Sequence, residues 1–522
     1  MTNRLFLALA CVLLAVRLPS LVQPMGADEG LYAYVGERIL DGGFPYRDAW
    51  DQKPPAIHVA YAAMRAVWPN DAAVPGTDLL LAAVVAALLW QLGRALSTPG
   101  VGQGAALVFL LLSNPSFARL AGVSVRAQCE TFIGAAVTGA FLILARSRHH
   151  QRSSAWELLP AGVLFGIAFA FKYNAAVYLL AGLVALFLWK RLTLAASVAL
   201  GAGFAVPSLA LLAWLAGGGA LADMYGATII YNLEYAGETY AGPLHAVIYL
   251  LTFPIRHARV DALWLVGGAG CAVLLLTSWR ERERLVAVAW VAAACLSIAI
   301  NGSRDLPQYF VQAGPALALA AAWGAGVVWT RRATVNIAMA VLVAIGVWRV
   351  NDFPTLVGNT MHDARYVSGS MNRSEHLARY GDISTRKYSA LAIAELGDFM
   401  RSHSAAADTV YVFGFSCGAY VAADRESASR FFWSRPVIVG FQDGVPGYGV
   451  SGLLGDLNRR FPAIVALQAR DWSPDVADSA EFFMGTPPLA EWLQRSYERV
   501  QGPEGFDVWV KRVEVKPVKM KQ

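Results

Sequence analysis

Charge is what this sequence has least of. Only 15% of its 522 residues are Asp, Glu, Lys or Arg, against about 25% in an ordinary soluble chain. That deficit excludes a wholly soluble protein, and it is uneven. Leu79–Leu89, Ala105–Leu112, Ile133–Leu144, Val177–Trp189 and Leu263–Leu276 are nearly charge-free, whereas residues 351–522 have the composition of a soluble domain. Cysteine is scarce as well. Cys11, Cys271 and Cys295 sit in apolar runs, Cys129 lies near a helix start, and only Cys417 falls in the polar part. With no CxxC spacing, a disulfide framework and a zinc ribbon are both excluded. H-E-x-x-H, an EF-hand loop and a histidine cluster are absent, which removes the metal sites that sequence alone can identify. The net charge of +6 is not accompanied by an aromatic-interleaved basic stripe, so nucleic acid is excluded as a partner.

What is present is hydrophobic length: 56% of the chain is apolar. Hydrocarbon cannot solvate backbone N–H and C=O groups, so long apolar runs must cross as helices that satisfy their own hydrogen bonds. About eleven spans follow: 4–22, 74–96, 100–117, 129–145, 157–173, 175–189, 193–216, 260–278, 285–301, 309–329 and 334–350. Residues 244–257, short and broken by Pro254, read as a re-entrant or surface helix, with a further span as the alternative. Basic clusters at Arg94, Arg146–Arg152, Lys190–Arg191, Arg280–Arg284 and Arg331–Arg332 fall at alternate loops, as cytoplasmic loops require. The N-terminus is then cytoplasmic, and the C-terminal domain lies outside the plasma (inner) membrane. A cleaved leader fits less well than a retained first span, because Arg17 interrupts the apolar run and Met25 stands where a small residue is wanted.

The predicted fold is an α-helical polytopic membrane protein with a C-terminal extracytoplasmic α/β domain. Residues 1–350 form the membrane domain, with a first outer loop at 23–73; 351–387 form a linker, and 388–522 the α/β domain. In that last segment, Ser389–His403, Ser451–Phe461 and Pro488–Val500 read as helices. Thr409–Phe415, Pro436–Phe441, Ala463–Gln468 and Asp507–Val513 read as strands. The segment holds no G-x-G-x-x-G, P-loop or G-x-S-x-G. Gly414-Phe415-Ser416-Cys417-Gly418 has the wrong composition for a nucleophile elbow, so recognition or support suits this domain better than catalysis.

Chemistry concentrates in the outer loops. The first runs Asp28-Glu29-Gly30-Leu31-Tyr32 into a helix whose Leu31, Tyr34 or Val35, and Ile39 share one face. That pattern predicts an amphipathic helix along the membrane surface. The loop ends Asp51-Gln52-Lys53-Pro54-Pro55, with a proline opening the next helix. The second outer loop carries Gln128-Cys129-Glu130, the fourth Tyr231 and Tyr235, and Gln308-Tyr309-Phe310…Pro315 leads into a late span.

In this order the motifs resemble the GT-C superfamily of lipid-phosphate-sugar-dependent glycosyltransferases, in the branch of protein O-mannosyltransferases and the aminoarabinose transferase of lipid A. The resemblance covers most of residues 1–350 and, more loosely, the C-terminal domain. It implies a polyprenyl-phosphate sugar donor, an extracytoplasmic lipid, glycan or protein acceptor, and direct displacement with inversion. Asp28 becomes the candidate base for the acceptor hydroxyl, with Glu29 as its catalytic neighbour or a metal ligand. Lys53, Lys172 and Arg304 become candidate cations for the leaving phosphate, and Glu130, Tyr309, Tyr231 and Tyr235 candidate substrate contacts. Gln52 and Gln308 replace a Glu and a His of the family pattern. This weakens a metal site but leaves room for a divalent cation, Mg2+ or Mn2+, at Asp28 and Glu130. Each residue also has a plainer reading: Asp28 as an N-cap, Glu130 as a solvated acid, Lys172 as a snorkelling lysine, Arg304 as the partner of Asp305, and the tyrosines as an interfacial belt. The rival classes are a transporter or lipid flippase, disfavoured by spans with few ionisable groups and no internal repeat, and a non-enzymatic envelope assembly protein.

Overall fold

The computed structural model describes residues 2–120, 122–148, 154–237, 240–302, 306–329, 333–381, 388–471 and 478–512. It divides into two compact units. One comprises residues 1–23, 52–120 and 124–372; the other comprises 24–51, 121–123 and 373–522.

The first unit is helical, and every one of the eleven expected spans contains a helix. Six of these are long and apolar enough to cross a bilayer alone, or up to eight if each of two bent pairs is one span, so the count of eleven is not established. The shorter helices, such as Pro99–Leu112, fall below the usual crossing length. Large apolar side chains, among them Leu180, Phe187, Leu209, Leu276 and Leu342, are exposed on this unit, as a lipid solvent permits. Inside hydrocarbon, helix association rests on close packing. The helices Leu159–Phe171 and Leu194–Gly217 cross where Gly162 faces Leu200 and Gly203 faces Leu159. A Cβ on Gly162 would stand 2.3 Å from the Leu200 carbonyl oxygen, and one on Gly203 would stand 2.2 Å from that of Leu159. Residues 244–257 belong to the helix Pro243–His257, bent by 111° against Ala262–Thr277, the geometry of a broken span or re-entrant segment. Much of the expected linker is also ordered helix. Asp352 caps Phe353–Val367 by accepting from the Thr355 amide at 3.0 Å, and this helix belongs to the membrane unit.

The second unit is built on four strands: β1 (Val410–Phe413), β2 (Ile464–Gln468), β3 (Tyr497–Val500) and β4 (Phe506–Lys511). Their order is β1-β2-β4-β3, with β1 parallel to β2 and the other pairs antiparallel. β1 and β2 are buried throughout, which explains their continuous apolar runs. Two expectations fail here. Pro436–Phe441 is not a strand: Pro436 enters a helical turn, Arg435–Ile438, as its ring favours at a helix start. The helix expected over Pro488–Val500 stops at Ser496, and Tyr497–Val500 pairs with β4 instead.

The helix Ala27–Leu40 is also part of this unit and is no membrane-surface helix. Glu29 through Gly36 are all buried. Gly30 lies so close to Gly418 that a Cβ would meet its amide nitrogen at 2.8 Å. The Tyr34 hydroxyl accepts from the Ser427 amide at 2.8 Å, and its ring packs on Tyr420 and Phe432. The apolar face that suggested a lipid surface covers a protein core.

Candidate functional site

In the membrane unit the fold brings together Glu130, Lys172 and Tyr309. Glu130 occupies the first turn of Cys129–Ser147. Lys172 ends Leu159–Phe171 in extended conformation, which carries its side chain off the helix. Its ammonium pairs with the Glu130 carboxylate, and both groups are buried. The same ammonium stands 4.3 Å from the centre of the Tyr309 ring. A buried charge is tolerated only when paired, so Glu130 is not a solvated acid and Lys172 does not snorkel. Beneath them, Gln312 accepts from Tyr178 at 2.9 Å and from Ser297 at 2.8 Å, while its amide donates to the Tyr309 carbonyl at 3.0 Å.

The approach to Glu130 is held in an unusual backbone. Ala127 has φ +43°, a left-handed conformation that disfavours a residue with a Cβ. Its amide donates to Asp78 at 3.0 Å, and its carbonyl accepts from the Tyr61 hydroxyl at 3.3 Å. Asp78 lies in turn within the field of Arg17 and Arg126, both buried.

Lys53 is half-buried in the turn before Ala56–Val67. Its neighbour Gln52 offers a carbonyl to Asn232 at 2.7 Å. Asn232 also donates to the Thr228 carbonyl at 2.9 Å, and the Thr228 hydroxyl bonds that of Tyr173 at 2.9 Å. The segments bearing Lys53 and Lys172 are therefore tied through one short stretch, which includes the π-turn Gly226–Ile230, a distortion that is frequent at functional sites. Tyr231 is buried in that stretch. Burial, with the Lys53 charge adding to it, pushes the His58 imidazole down to about 3, so a neutral ring lies beneath the lysine. Arg304 lies outside the described residues. Tyr235 falls in the helix Tyr231–Gly237, with its side chain outside them.

A cavity of about 710 Å3 opens in this unit. Its lining mixes charge, from Glu130, Arg119 and Arg256, with apolar surface from Phe109, Trp264 and Phe310.

In the second unit, Glu29 is the capping residue: its carboxylate accepts from the Gly26 amide at 3.0 Å, closing the helix start. Asp28, not Glu29, is left with the more accessible carboxylate, half-buried in the first turn. Asp51, which the sequence reading passed over, is buried. Burial and then the charges of Asp51 and Asp28 push the Cys417 thiol upward, so both carboxylates act on one spot. That spot is the turn Gly414–Gly418 between β1 and the helix Gly418–Ala423, where Ser416 and Cys417 are both buried. The Asp-x-Lys spacing of Asp51 and Lys53 was the signal available in the sequence.

Among the described residues no three His, Cys, Asp or Glu side chains gather as a cation would require. Lys172 neutralises the carboxylate of Glu130. With its charge already balanced, Glu130 is a poor ligand for a divalent cation.

Residues 52–215 match the family model of dolichyl-phosphate-mannose-protein mannosyltransferase. No curated protein matches the chain. ArnT from Cupriavidus metallidurans bound to undecaprenyl phosphate superposes with TM-score 0.60 at 16% identity, over 98% of both chains. Its apo state gives 0.55 at 17%, over 97% of both. The apo oligosaccharyltransferase of Archaeoglobus fulgidus gives 0.52 at 11%, over 99% of this chain and 76% of that one. At such identities the likeness is one of fold. The chain thus has the fold of the ArnT structures along its length, and within it residues 52–215 are similar to the mannosyltransferase family.

Proposed function

We propose that the chain transfers a sugar from a polyprenyl-phosphate-linked donor to an acceptor hydroxyl outside the plasma (inner) membrane, with inversion at the anomeric carbon. The observation that carries this reading is the membrane unit's cavity, which pairs charged side chains with an apolar aromatic lining, as a lipid with a phosphate headgroup needs. The comparisons support it: the matching ArnT structure holds undecaprenyl phosphate, and the matching family is named for a dolichyl-phosphate-mannose donor.

In the proposed step Asp28 takes the proton of the acceptor hydroxyl as that oxygen bonds to the anomeric carbon. The bond from this carbon to the phosphate oxygen breaks, and its electron pair leaves on the phosphate. Lys53, Lys172 and Arg304 supply positive charge to that group. Glu130 orients Lys172, and Tyr309, Tyr231 and Tyr235 offer surfaces to the sugar. The donor sugar is a hexose or pentose; the acceptor is a lipid, glycan or protein. In this orientation the N-terminus is cytoplasmic and the C-terminal unit extracytoplasmic.

The test is turnover by purified protein given a panel of polyprenyl-phosphate sugars. Asp28→Asn should lower kcat by about 10²–10⁴, and Lys53→Ala by about 10²–10³. Full turnover in the Asp28 variant removes the base assignment. A folded wild-type protein inert towards every donor overturns the function.

A further inference from the structure

The C-terminal unit has a second cleft, of about 610 Å3, which the proposed transfer does not use. Five arginines line it: Arg38, Arg47, Arg430, Arg459 and Arg460. Carboxylates interleave with them. Glu426 is reached by Arg460 at 2.7 Å and by Arg38 at 3.4 Å. Asp48 receives a two-pronged contact from Arg47 at 2.6 and 3.0 Å. Arg459 pairs with Asp456, whose other oxygen accepts from Ser429 at 2.8 Å. Arg430 stands over two rings, 4.3 Å from the centre of Tyr448 and 4.9 Å from that of Phe431, and donates to the Gly447 carbonyl at 2.8 Å.

The mixture decides which ligand chemistry fits. Bare phosphate offers acceptor oxygens almost alone, so it could meet the guanidiniums but would leave the carboxylates in the wall facing like charge with no donor. A surface for a protein partner is flat with an apolar centre, whereas this is a concave, polar cleft. A sugar hydroxyl both donates and accepts, so alternating carboxylates and guanidiniums satisfy it from two sides. Guanidiniums outnumber the carboxylates of Asp41, Asp48, Glu426 and Asp456 five to four, and their planar forks match a carboxylate on the ligand. Burial would raise the Glu426 carboxyl, but bonds and charge from Arg460 and Arg38 outweigh it and hold the group below its usual range. Asp48 is held low in the same way by Arg47 and the Phe44 amide. The alternation therefore persists at neutral and mildly acidic pH.

We propose that this cleft, bounded by residues 38–48 and 426–460, is a binding site for an acidic, hydroxyl-rich saccharide. It is independent of the transfer step, so its test uses no donor.

The full chain in lipid nanodiscs is titrated by calorimetry with tetragalacturonic acid, maltotetraose and inorganic phosphate. The acidic tetramer should bind saturably, and the neutral tetramer and phosphate about tenfold more weakly or less. Arg47 and Arg459 are 42% and 72% exposed, so Arg47→Gln and Arg459→Gln should leave the melting temperature unchanged while each weakens the acidic tetramer by about tenfold. Arg430→Lys keeps the charge, loses the fork and should weaken it as well. No saturable binding of the acidic tetramer by folded wild-type protein overturns the proposal. So does binding that all three variants retain, or phosphate binding as tight as that of the sugar. None of these results bears on turnover, so the glycosyl-transfer reading stands or falls separately.

Discussion

Glu130 and Lys172 lie 42 residues apart in the chain, and each alone had an innocuous explanation. Their pairing was not legible in the sequence, because it depends on Lys172 leaving its helix in extended conformation while Glu130 enters another. The residue types were legible; the partnership was not. A buried ion pair is costly to halve, since removing one partner strands the other charge at about 3–5 kcal/mol. Glu130→Gln and Lys172→Met should therefore each lower the thermal stability of the nanodisc-embedded protein markedly. The double variant should recover most of that loss, because two neutral side chains need no partner. If Lys172 also serves the leaving phosphate, turnover will stay low in the stable double variant. Recovery of both stability and turnover would reduce the pair to a structural contact. In the other unit, Glu29 and Asp28 looked like equivalent acids until the capping bond to Gly26 separated them.

Elements were read well where length and composition decide them, and poorly where a distant partner does. The apolar runs found the membrane helices, and the buried strands Val410–Phe413 and Ile464–Gln468 stood out as continuous hydrophobic stretches. The amphipathic helix after Asp28 was expected along a membrane surface because the sequence could not show that Gly30 meets Gly418. Pro436–Phe441 has the composition of a strand, yet the amides of Val437 and Ile438 both donate to the Ser434 carbonyl and wind it into a turn. The loop before Glu130 gives a prediction at this scale. Ala127 holds φ +43° between Asp78 and Tyr61, a conformation that glycine adopts without a steric penalty. Ala127→Gly should be neutral or stabilising by up to about 1 kcal/mol. Asp78→Ala leaves the buried Ala127 amide without its acceptor, at a cost of about 1–3 kcal/mol, and should lower turnover by loosening the approach to Glu130. Thermal melts of the two variants decide it: similar losses in both would mean that the loop is not held by this clamp.

For the molecule as a whole, the response to pH turns on a carboxyl group that the proposed chemistry does not use. Asp471 is buried in the C-terminal unit, where it accepts from the Ser479 hydroxyl at 2.6 Å and the Ser479 amide at 3.0 Å. The Ser434 hydroxyl lies 2.7 Å from that of Ser479 and completes the network. Burial raises the Asp471 carboxyl from 3.8 to about 7; the Ser479 bonds oppose the rise, and the Asp478 charge adds to it. The folded chain therefore holds this proton more tightly than the unfolded chain. Below 3.8 both states are protonated, and the contribution to stability is fully present. As pH rises the unfolded state releases its proton first, so stability falls until the folded group also ionises near 7, and the dependence then levels off. The full change is on the order of 2–4 kcal/mol. Carboxylates held low by arginines, such as Glu426 and Asp48, act in the opposite sense, but their contribution is lost only as pH falls into the acid range. Between pH 5 and 7 Asp471 should dominate, with melting temperature declining as pH rises. Asp471→Asn keeps a neutral side chain of the same shape and should flatten that decline. A variant whose melting temperature falls as steeply as that of the wild type would move the cause to another group.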